Sequence, residues 1–449
     1  MEYSVPQHID PNQIFLVNFS ELEGRWDPIF TLYDKKVKNE YVFSIVQLKD
    51  LLLKSPQYGT AESGIERKSV TEPRYIRITD IDELGNLIGE LGATAKTLEN
   101  QYVLNEGDIL FARSGATVGK TYLHKTLPYQ CFFAGYMIRV VVDCIKILPE
   151  YLFVFTQSQP YKDWVRAIQR TAAQPNINAE EYKSLPIPLP PLSIQQQIVD
   201  RYNTLLKLRC SKLSLSKQKL ASIDEYLLGK LGISLPKDDF QKLNDRIFSV
   251  RFKDVVDNRF DPFYYLVSGK KVTSTSFANT QLKDIANIVK GNSITSDAVN
   301  KNGQYPVIAG GQTSPYNHDQ YNFGGNVITI SASGAYSGYV WYHEKPIFAS
   351  DCSVIYSKDE TKFLTRYIFE VLKLQQPHIY NLQQGAGQPH VYPEDLGKLI
   401  IPEVPLDKQT EIVAHISSIR AEARALEIQA EEVLTKAREE VERMIMNKA

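Results

Sequence analysis

The sequence predicts an α+β chain of two tandem, pseudo-symmetric α/β domains separated by two long antiparallel helices that form a coiled coil. An internal repeat, a proline-rich segment before each helix and seven-residue spacing of apolar residues predict this arrangement. We expect a first domain over 1–188 that includes an N-terminal extension, and a central spacer helix over 189–232. A second domain over 233–404 and a C-terminal spacer helix over 405–449 complete the chain.

The internal repeat occurs at four places in the same order along the chain. The matching segments, first copy before second, are 24–33 and 258–267, 47–50 and 281–284, 114–119 and 333–338, and 174–203 and 388–417. The last pair aligns without a gap, and eleven of its thirty positions are identical. By contrast, residues 53–106 and 287–324 share almost nothing. A duplicated scaffold with two unlike segments indicates two related modules that recognise different targets; neutral drift in surface loops is the alternative.

Each long helix is predicted to begin after prolines, with Ser193 and Asp407 as N-caps. Both helices carry a narrow apolar stripe, which needs a partner to cover it. The residues expected at the helix-pair interface are Val199, Leu206, Leu213, Leu220 and Leu227 in the first helix and Ile412, Ile416, Ile419, Leu426 and Val433 in the second. The simplest partner of each helix is the other helix; packing of each helix on its own domain is the alternative.

Composition restricts the class of protein more than it identifies a function. The chain has a net charge of −1, so its overall charge does not by itself predict a nucleic-acid binder. Four cysteines without metal-type spacing fit a reducing compartment, and we expect neither a signal peptide nor a membrane-spanning run. We therefore expect a cytoplasmic protein that has no contact with a membrane.

No segment of the sequence predicts a catalytic centre. The SGATVGKT segment at 114–121 has three residues between its glycines, whereas a P-loop needs four. Asp261-Pro262-Phe263-Tyr264 is similar to the base-holding loop of adenine methyltransferases, but the first copy lacks it. Glu181 and Lys183 have the spacing of a nuclease pair without its upstream partner. We expect no catalytic residue, no cofactor and no metal site.

The whole chain from about residue 13 onward resembles the specificity subunits of type I restriction–modification enzymes. The resemblance rests on GDILFARSGATVGKT at 107–121, LPIPLPPLSIQQQIV at 185–199 and LIIPEVPLDKQTEIV at 399–413. It implies two target-recognition domains, each of which reads one half of a bipartite sequence in double-stranded DNA. It also implies two methyltransferase subunits as partners and a restriction subunit as a further partner. The alternatives are a methyltransferase or nuclease with its own recognition domains, and a coiled-coil scaffold that binds only proteins.

Residues in and around the divergent segments are the candidate DNA contacts, since arginine, asparagine and glutamine read bases and lysine neutralises phosphate. In the first domain they are Lys68, Arg74, Arg77, Arg113, Ser114, Thr117, Lys120, Arg166 and Arg170. In the second domain they are Lys290, Asn292, Gln312, Tyr316, His318, Ser331, Tyr336, Gln383, Gln384 and His390. An ordinary solvated side chain is the alternative at every one of these positions, and a simple packing turn is the alternative for 114–119.

Overall fold

The computed structural model of the chain forms two compact units. Unit 1 comprises residues 1–213 and 428–449, and unit 2 comprises residues 214–427. The residues that the structure describes are 16–17, 29–31, 33, 41–169, 175–234, 249, 251–255, 259, 264, 272–295, 299–300, 302–385 and 387–446. Most of the repeated segments at 24–33 and 258–267, and all of the extension at 1–12, lie outside these residues.

Unit 1 is built on a four-stranded antiparallel sheet and a second, smaller mixed sheet. Its strands are β1 (Ile45–Gln47), β2 (Leu52–Tyr58), β3 (Ile65–Glu66), β4 (Arg74–Ile76), β5 (Ala93–Thr94), β6 (Ile109–Ala112), β7 (Thr121–Leu123), β8 (Cys131–Phe133), β9 (Met137–Val142) and β10 (Pro186–Pro188). Its short helices are α1 (Pro149–Phe155), α2 (Gln159–Ile168) and α3 (Ala179–Lys183). The large sheet has the order β2-β9-β6-β7 and the second sheet the order β3-β5-β4-β8, while β1 pairs with β10.

Unit 2 repeats this plan. After the first long helix α4 (Leu192–Leu231), its strands are β11 (Ile233–Ser234), β12 (Thr273–Ser274), β13 (Asn279–Gln281), β14 (Ala286–Lys290), β15 (Tyr305–Ile308), β16 (Asn317–His318), β17 (Val327–Ser331), β18 (Val340–His343), β19 (Phe348–Ala349), β20 (Cys352–Ser357) and β21 (Ile400–Pro402). Its helices are α5 (Phe252–Val255), α6 (Leu282–Ile285), α7 (Thr365–Leu374), α8 (Gln376–Tyr380) and α9 (Pro393–Leu396), and the second long helix is α10 (Leu406–Ile445). The sheet order β14-β20-β17-β18 matches the large sheet of unit 1, and the pair β13-β21 matches β1-β10.

One apolar run that reads as a single strand forms two strands. Residues 132–142 divide at Ala134-Gly135-Tyr136, and the halves enter different sheets. β8 pairs parallel with β4, whereas β9 pairs antiparallel with β2 and β6. The turn at Gly135 lets the chain leave one sheet for the other, which hydrophobicity alone does not indicate.

Both long helices span 40 residues, and each contributes to both units. Residues 192–213 of α4 lie in unit 1 with 428–445 of α10, and the remaining parts of the two helices lie in unit 2. Within unit 1 the ion pairs Arg201–Glu440 and Arg209–Glu431 define an antiparallel pairing, because the partner number falls as the first number rises. Within unit 2, Lys219–Glu422 and Lys230–Glu411 define the same direction.

The predicted interface residues are all buried or partly buried on the second long helix, whereas one of those on the first long helix is exposed. Val199, Leu227, Ile412 and Ile416 are buried, and Leu206, Leu213, Ile419, Leu426 and Val433 are partly buried. Leu220 is 40% exposed, so its place at the interface is a wrong prediction. The buried positions of α4 also include Ile198, Tyr202, Leu205, Ser216 and Ile223, and the middle members of the predicted leucine series lie at the edge of this stripe. Polar pairs such as Ser216–Glu427 fill the middle of this stripe, and apolar spacing does not reveal them.

Each long helix begins two residues earlier than the predicted caps imply, at Leu192 and Leu406. The carbonyls of Pro191 and Pro405 accept the first helical hydrogen bonds, from the backbone N–H groups of Gln195 and Gln409 at 3.0 Å. Ser193 and Asp407 therefore lie inside the first turn and are not the caps. None of the helices in the described part of the chain is both long and apolar enough to cross a membrane.

A fully buried glutamine stabilises the start of each long helix. The side-chain oxygen of Gln195 accepts the Leu148 N–H at 2.8 Å, and its amide donates to the carbonyls of Pro190 at 2.9 Å and Lys146 at 3.2 Å. Gln409 makes the same three bonds in unit 2, with Leu364 N–H, Val404 carbonyl and Lys362 carbonyl, each at 2.8 Å. These bonds join the helix to the proline-containing residues just before it and to the residues just before α1 in unit 1 or α7 in unit 2.

Replacing Gln195 or Gln409 with alanine should lower the free energy of unfolding by about 2–3 kcal/mol, because buried backbone groups would lose their partners. Urea unfolding of the full chain measures the loss. Gln197→Ala, at an exposed position of the same helical turn as Gln195, should change it by less than about 0.5 kcal/mol. Equal effects at positions 195 and 197 would contradict this structural role.

Unit 2 should lose stability in mild acid because of His343. This side chain is buried on β18, and burial lowers its pKa to about 4. The unfolded chain binds the proton near pH 6.5 and the folded chain does not, so stability is full above that pH and falls toward pH 4. Between pH 7.5 and 5 we expect a loss of about 2 kcal/mol from this group. His343→Gln should flatten the pH dependence of urea unfolding; an unchanged slope would contradict the assignment.

Candidate nucleic-acid interface

The SGATVG segment of unit 1 is a tight turn that is hydrogen-bonded to the chain just before α3. It forms a 3-10 turn over Gly115–Thr117. The Gly115 N–H donates to the Pro175 carbonyl at 3.1 Å, and the Ile177 N–H donates to the Arg113 carbonyl at 2.8 Å. Gly115 has a φ of 76°, a conformation that favours glycine. The turn therefore has a fixed position beside residues 175–177.

Unit 2 builds the same turn with the same bonds. The Gly334 N–H donates to the Pro389 carbonyl at 3.0 Å, and the Val391 N–H donates to the Ala332 carbonyl at 3.0 Å. Gly334 has a φ of 84°. The two turns therefore define equivalent positions, with Ala332 in the place of Arg113.

The equivalence extends into the segments whose sequences have nothing in common. The Gly59 N–H of unit 1 donates to the Met137 carbonyl at 3.2 Å, and the Gly291 N–H of unit 2 donates to the Cys352 carbonyl at 2.9 Å in the same way. The Ala134 N–H donates to the Ile76 carbonyl at 3.0 Å, and its counterpart, the Ser350 N–H, donates to the Ile308 carbonyl at 2.7 Å. A Cβ on Gly59 or Gly291 would overlap a carbonyl oxygen of the neighbouring strand, so both positions need glycine. We call this shared set of backbone bonds, together with the two turns, the duplicated frame.

The duplicated frame carries different side chains at equivalent positions. The equivalent pairs, unit 1 before unit 2, are Tyr58 and Lys290, Arg113 and Ala332, Tyr136 and Asp351, and Asn176 and His390. In unit 1 Arg113 contacts Tyr58 and Tyr136, and in unit 2 the turn contacts Asp351 and His390. The same backbone thus presents two unlike sets of chemical groups, as expected of two modules with different targets.

In unit 1 the group around the turn is an arginine held by a tyrosine. The Arg113 guanidinium lies 4.8 Å from the centre of the Tyr58 ring, and the Tyr58 hydroxyl accepts the Ala179 N–H at 3.0 Å. The Arg113 N–H donates to the Tyr136 carbonyl at 3.0 Å. Tyr136 is 63% exposed and Tyr58 39% exposed, so this group is open to a ligand.

In unit 2 the equivalent group contains acidic and imidazole side chains. The Ser333 hydroxyl donates to the Asp351 carboxylate, and Ser333 forms a β-bridge with His390. The His390 ring stacks beside Tyr392, with centroids 6.2 Å apart. Lys290 is exposed at the end of β14.

The predicted contact residues of unit 1 divide by what their side chains bind. Arg74 is 2% exposed and donates to the Ile88 carbonyl at 2.7 Å, so it stabilises the second sheet and we remove it from the contact set. Arg77 binds Asp80 at 2.9 Å, which raises the arginine pKa. Lys120 binds Glu83 at 2.6 Å, and Arg166 lies 3.4 Å from Asp163 but is 73% exposed.

The other predicted residues of unit 1 are less constrained. Lys68 is exposed beside the fully buried Arg67, which binds the Leu91 carbonyl at 2.8 Å. Ser114 and Thr117 lie within the turn and are partly buried. Arg170 lies outside the described residues.

In unit 2 the predicted residues are spread more widely. Asn292, Gln312, Tyr316 and Tyr336 are exposed, and Tyr336 lies in the turn itself. Ser331 is 4% exposed inside β17 and is removed from the contact set.

The remaining three residues of this set have partners inside unit 2. Gln383 donates to the Ser337 carbonyl at 2.8 Å and Gln384 to Asp395 at 2.9 Å, so both mainly support the frame. The His318 ring packs 4.4 Å from Phe348.

The segments that are similar to catalytic motifs have structural partners. Glu181 accepts the Asn178 N–H at 2.9 Å in a capping box at the start of α3, and Lys183 pairs with Glu180. The described residues include no group of three or more histidine, cysteine or acidic side chains that could hold a metal ion. The loop at Asp261 lies outside the described residues except for Tyr264.

Sequence reasoning missed Tyr58, Tyr136, Asn176 and Asp351. For Tyr58, Tyr136 and Asp351, the equivalent residue in the other unit can be identified only from the backbone bonds of the duplicated frame. Asn176 and His390 could have been paired from the alignment of 174–203 with 388–417, since they occupy equivalent positions there.

Comparison with known proteins agrees with this architecture. The family model described as the type I restriction modification DNA specificity domain matches residues 42–225 and 275–436. A putative type I specificity subunit of Mycoplasma pneumoniae is 30% identical over 112 residues, which cover 23% of this chain and 36% of that protein. The type I restriction enzyme StySPI specificity subunit of Salmonella potsdam is 21% identical over 355 residues, covering 75% of this chain and 73% of that protein.

A solved structure from work on complex assembly and conformational transition of the type I restriction–modification system has the same fold. It superposes with a TM-score of 0.54 at 15% sequence identity, over 90% of this chain and 96% of that chain. The predicted fold class is confirmed. Because the family model covers most of the sequence in two copies, the chain belongs to the family of type I restriction–modification DNA specificity proteins.

Proposed function

We propose that this chain is the non-catalytic reader of a type I restriction–modification complex, in which each unit recognises one half of a bipartite DNA target. The observation that carries the proposal is the duplicated frame, which holds unlike side chains at equivalent positions such as Arg113 and Ala332. One backbone arrangement with two sets of groups suits a protein that reads two different half-sites in double-stranded DNA.

Two methyltransferase subunits and a restriction subunit are the proposed protein partners, which supply the chemistry. Two segments of this chain are similar to catalytic motifs, but their groups have structural roles: Glu181 belongs to a capping box, and the SGATVG turn is hydrogen-bonded to backbone. These roles support a protein that recognises DNA without catalysing a reaction. The two long helices suit a spacer role: at about 1.5 Å per residue, each measures about 60 Å.

Exchanging residues 53–106 for the same segment of another specificity protein should change one half of the methylated sequence and leave the other half intact. The segment contains Tyr58 and most of the second sheet of unit 1, and none of unit 2. Genome-wide mapping of methylated adenines measures the outcome. The matched exchange of 287–324 should change the opposite half; a single exchange that altered both halves would contradict the modular assignment.

Binding of the chain to duplex DNA, with its methyltransferase partner present, should weaken steeply as salt rises. Each phosphate contact releases counterions, so the logarithm of the affinity falls linearly with the logarithm of salt concentration. A fluorescence titration at several salt concentrations measures the slope. Affinity that did not depend on salt would favour the alternative of a protein-binding scaffold.

A further inference from the structure

We propose that Arg113, held in place by Tyr58, reads a guanine in the half-site of unit 1. This inference rests on the proposed function and names the base and the residue pair for one position of the target. Guanine presents two acceptors, O6 and N7, in the major groove, and the guanidinium fork matches both at once. A planar arginine that is already fixed in direction loses little freedom when it binds.

The surroundings of Arg113 leave its donors available. Among the predicted arginines that the structure describes in unit 1, Arg74 binds backbone carbonyls, and Arg77 and Arg166 lie beside carboxylates. Arg113 instead stacks on the Tyr58 ring at 4.8 Å, within the distance of a cation–π interaction. No hydrogen bond or ion pair of its guanidinium occurs within the described part of unit 1. Stacking therefore orients the side chain without occupying its N–H groups.

The backbone of Arg113 is fixed on both sides. Its N–H donates to the Tyr136 carbonyl at 3.0 Å, and its carbonyl accepts the Ile177 N–H at 2.8 Å. The Tyr58 ring is fixed in turn, since its hydroxyl accepts the Ala179 N–H at 3.0 Å. A base-reading side chain needs this kind of support, because a small displacement would misalign both hydrogen bonds.

The comparison between the units favours a base contact over a phosphate contact. A phosphate contact carries no sequence information, so a duplicated reader has reason to keep it in both copies. The equivalent of Arg113 in unit 2 is Ala332, which cannot make such a contact, and the equivalent of Tyr58 is Lys290. Both members of the stacked pair are therefore present in one unit and absent from the other, as expected of residues that determine a difference in target.

The test maps methylated adenines in cells that carry the partner methyltransferase and either the natural chain or Arg113→Ala. We expect the variant to accept other bases at one guanine position, in the half that the exchange of 53–106 changes. Discrimination at that position should fall roughly 5- to 150-fold, while every other position keeps its preference. Arg113→Lys keeps the charge but loses the paired geometry, so it should relax the same position.

Substitutions of Tyr58 and Lys125 provide the controls. Tyr58→Phe keeps the stacking ring but loses the bond to the Ala179 N–H, so it should relax the guanine position less than Tyr58→Ala does. Lys125→Ala, at an exposed cation of unit 1 outside the predicted contact set, should leave the sequence unchanged. If Arg113→Ala lowers methylation evenly at an unchanged sequence, or if that half contains no guanine, the proposal is wrong. If the natural chain directs no bipartite methylation at all, the proposed function itself fails, which is a separate outcome.

Discussion

A single buried glutamine in each unit connects three parts of the chain that must stay together for the fold to exist. Gln195 and Gln409 each bind one N–H and two carbonyls, and thereby join the start of a long helix to the proline-containing residues before it and to the residues just before α1 or α7. Because these amides are buried, their bonds are costly to lose and cannot be replaced by water. This contact fixes the first turn of each long helix within its own unit.

The duplicated frame separates stability from specificity. Backbone hydrogen bonds set the positions of the turn, the two sheets and the segment before α3, so the side chains around the turn are free to differ without changing the fold. In unit 1 those side chains include a stacked arginine and tyrosine, and in unit 2 they include Lys290, Asp351 and His390. The two domains can therefore acquire different targets through a few side chains while the long helices keep their pairing of cations on α4 with acids on α10.

The tandem architecture and the two helices could be predicted from the repeat, the prolines and the apolar spacing, because these signals are local in sequence. The interface of α4 could be predicted only in part: Leu220 is exposed, since hydrogen-bonded polar residues occupy the middle of the stripe. Residue type alone predicts Arg74 and Ser331 as DNA contacts, but the fold buries both. Tyr58 and Asp351 could not be recognised, because their equivalence depends on strand register between segments of unrelated sequence.

The proposed function requires that one duplicated frame reads two unlike half-sites. The most direct measurement is genome-wide mapping of methylated adenines in cells with this chain and in cells from which it is deleted. We expect deletion to abolish one bipartite sequence whose halves differ from each other. A methylation pattern that is unchanged by deletion, or a lost sequence that is continuous or has two identical halves, would contradict it.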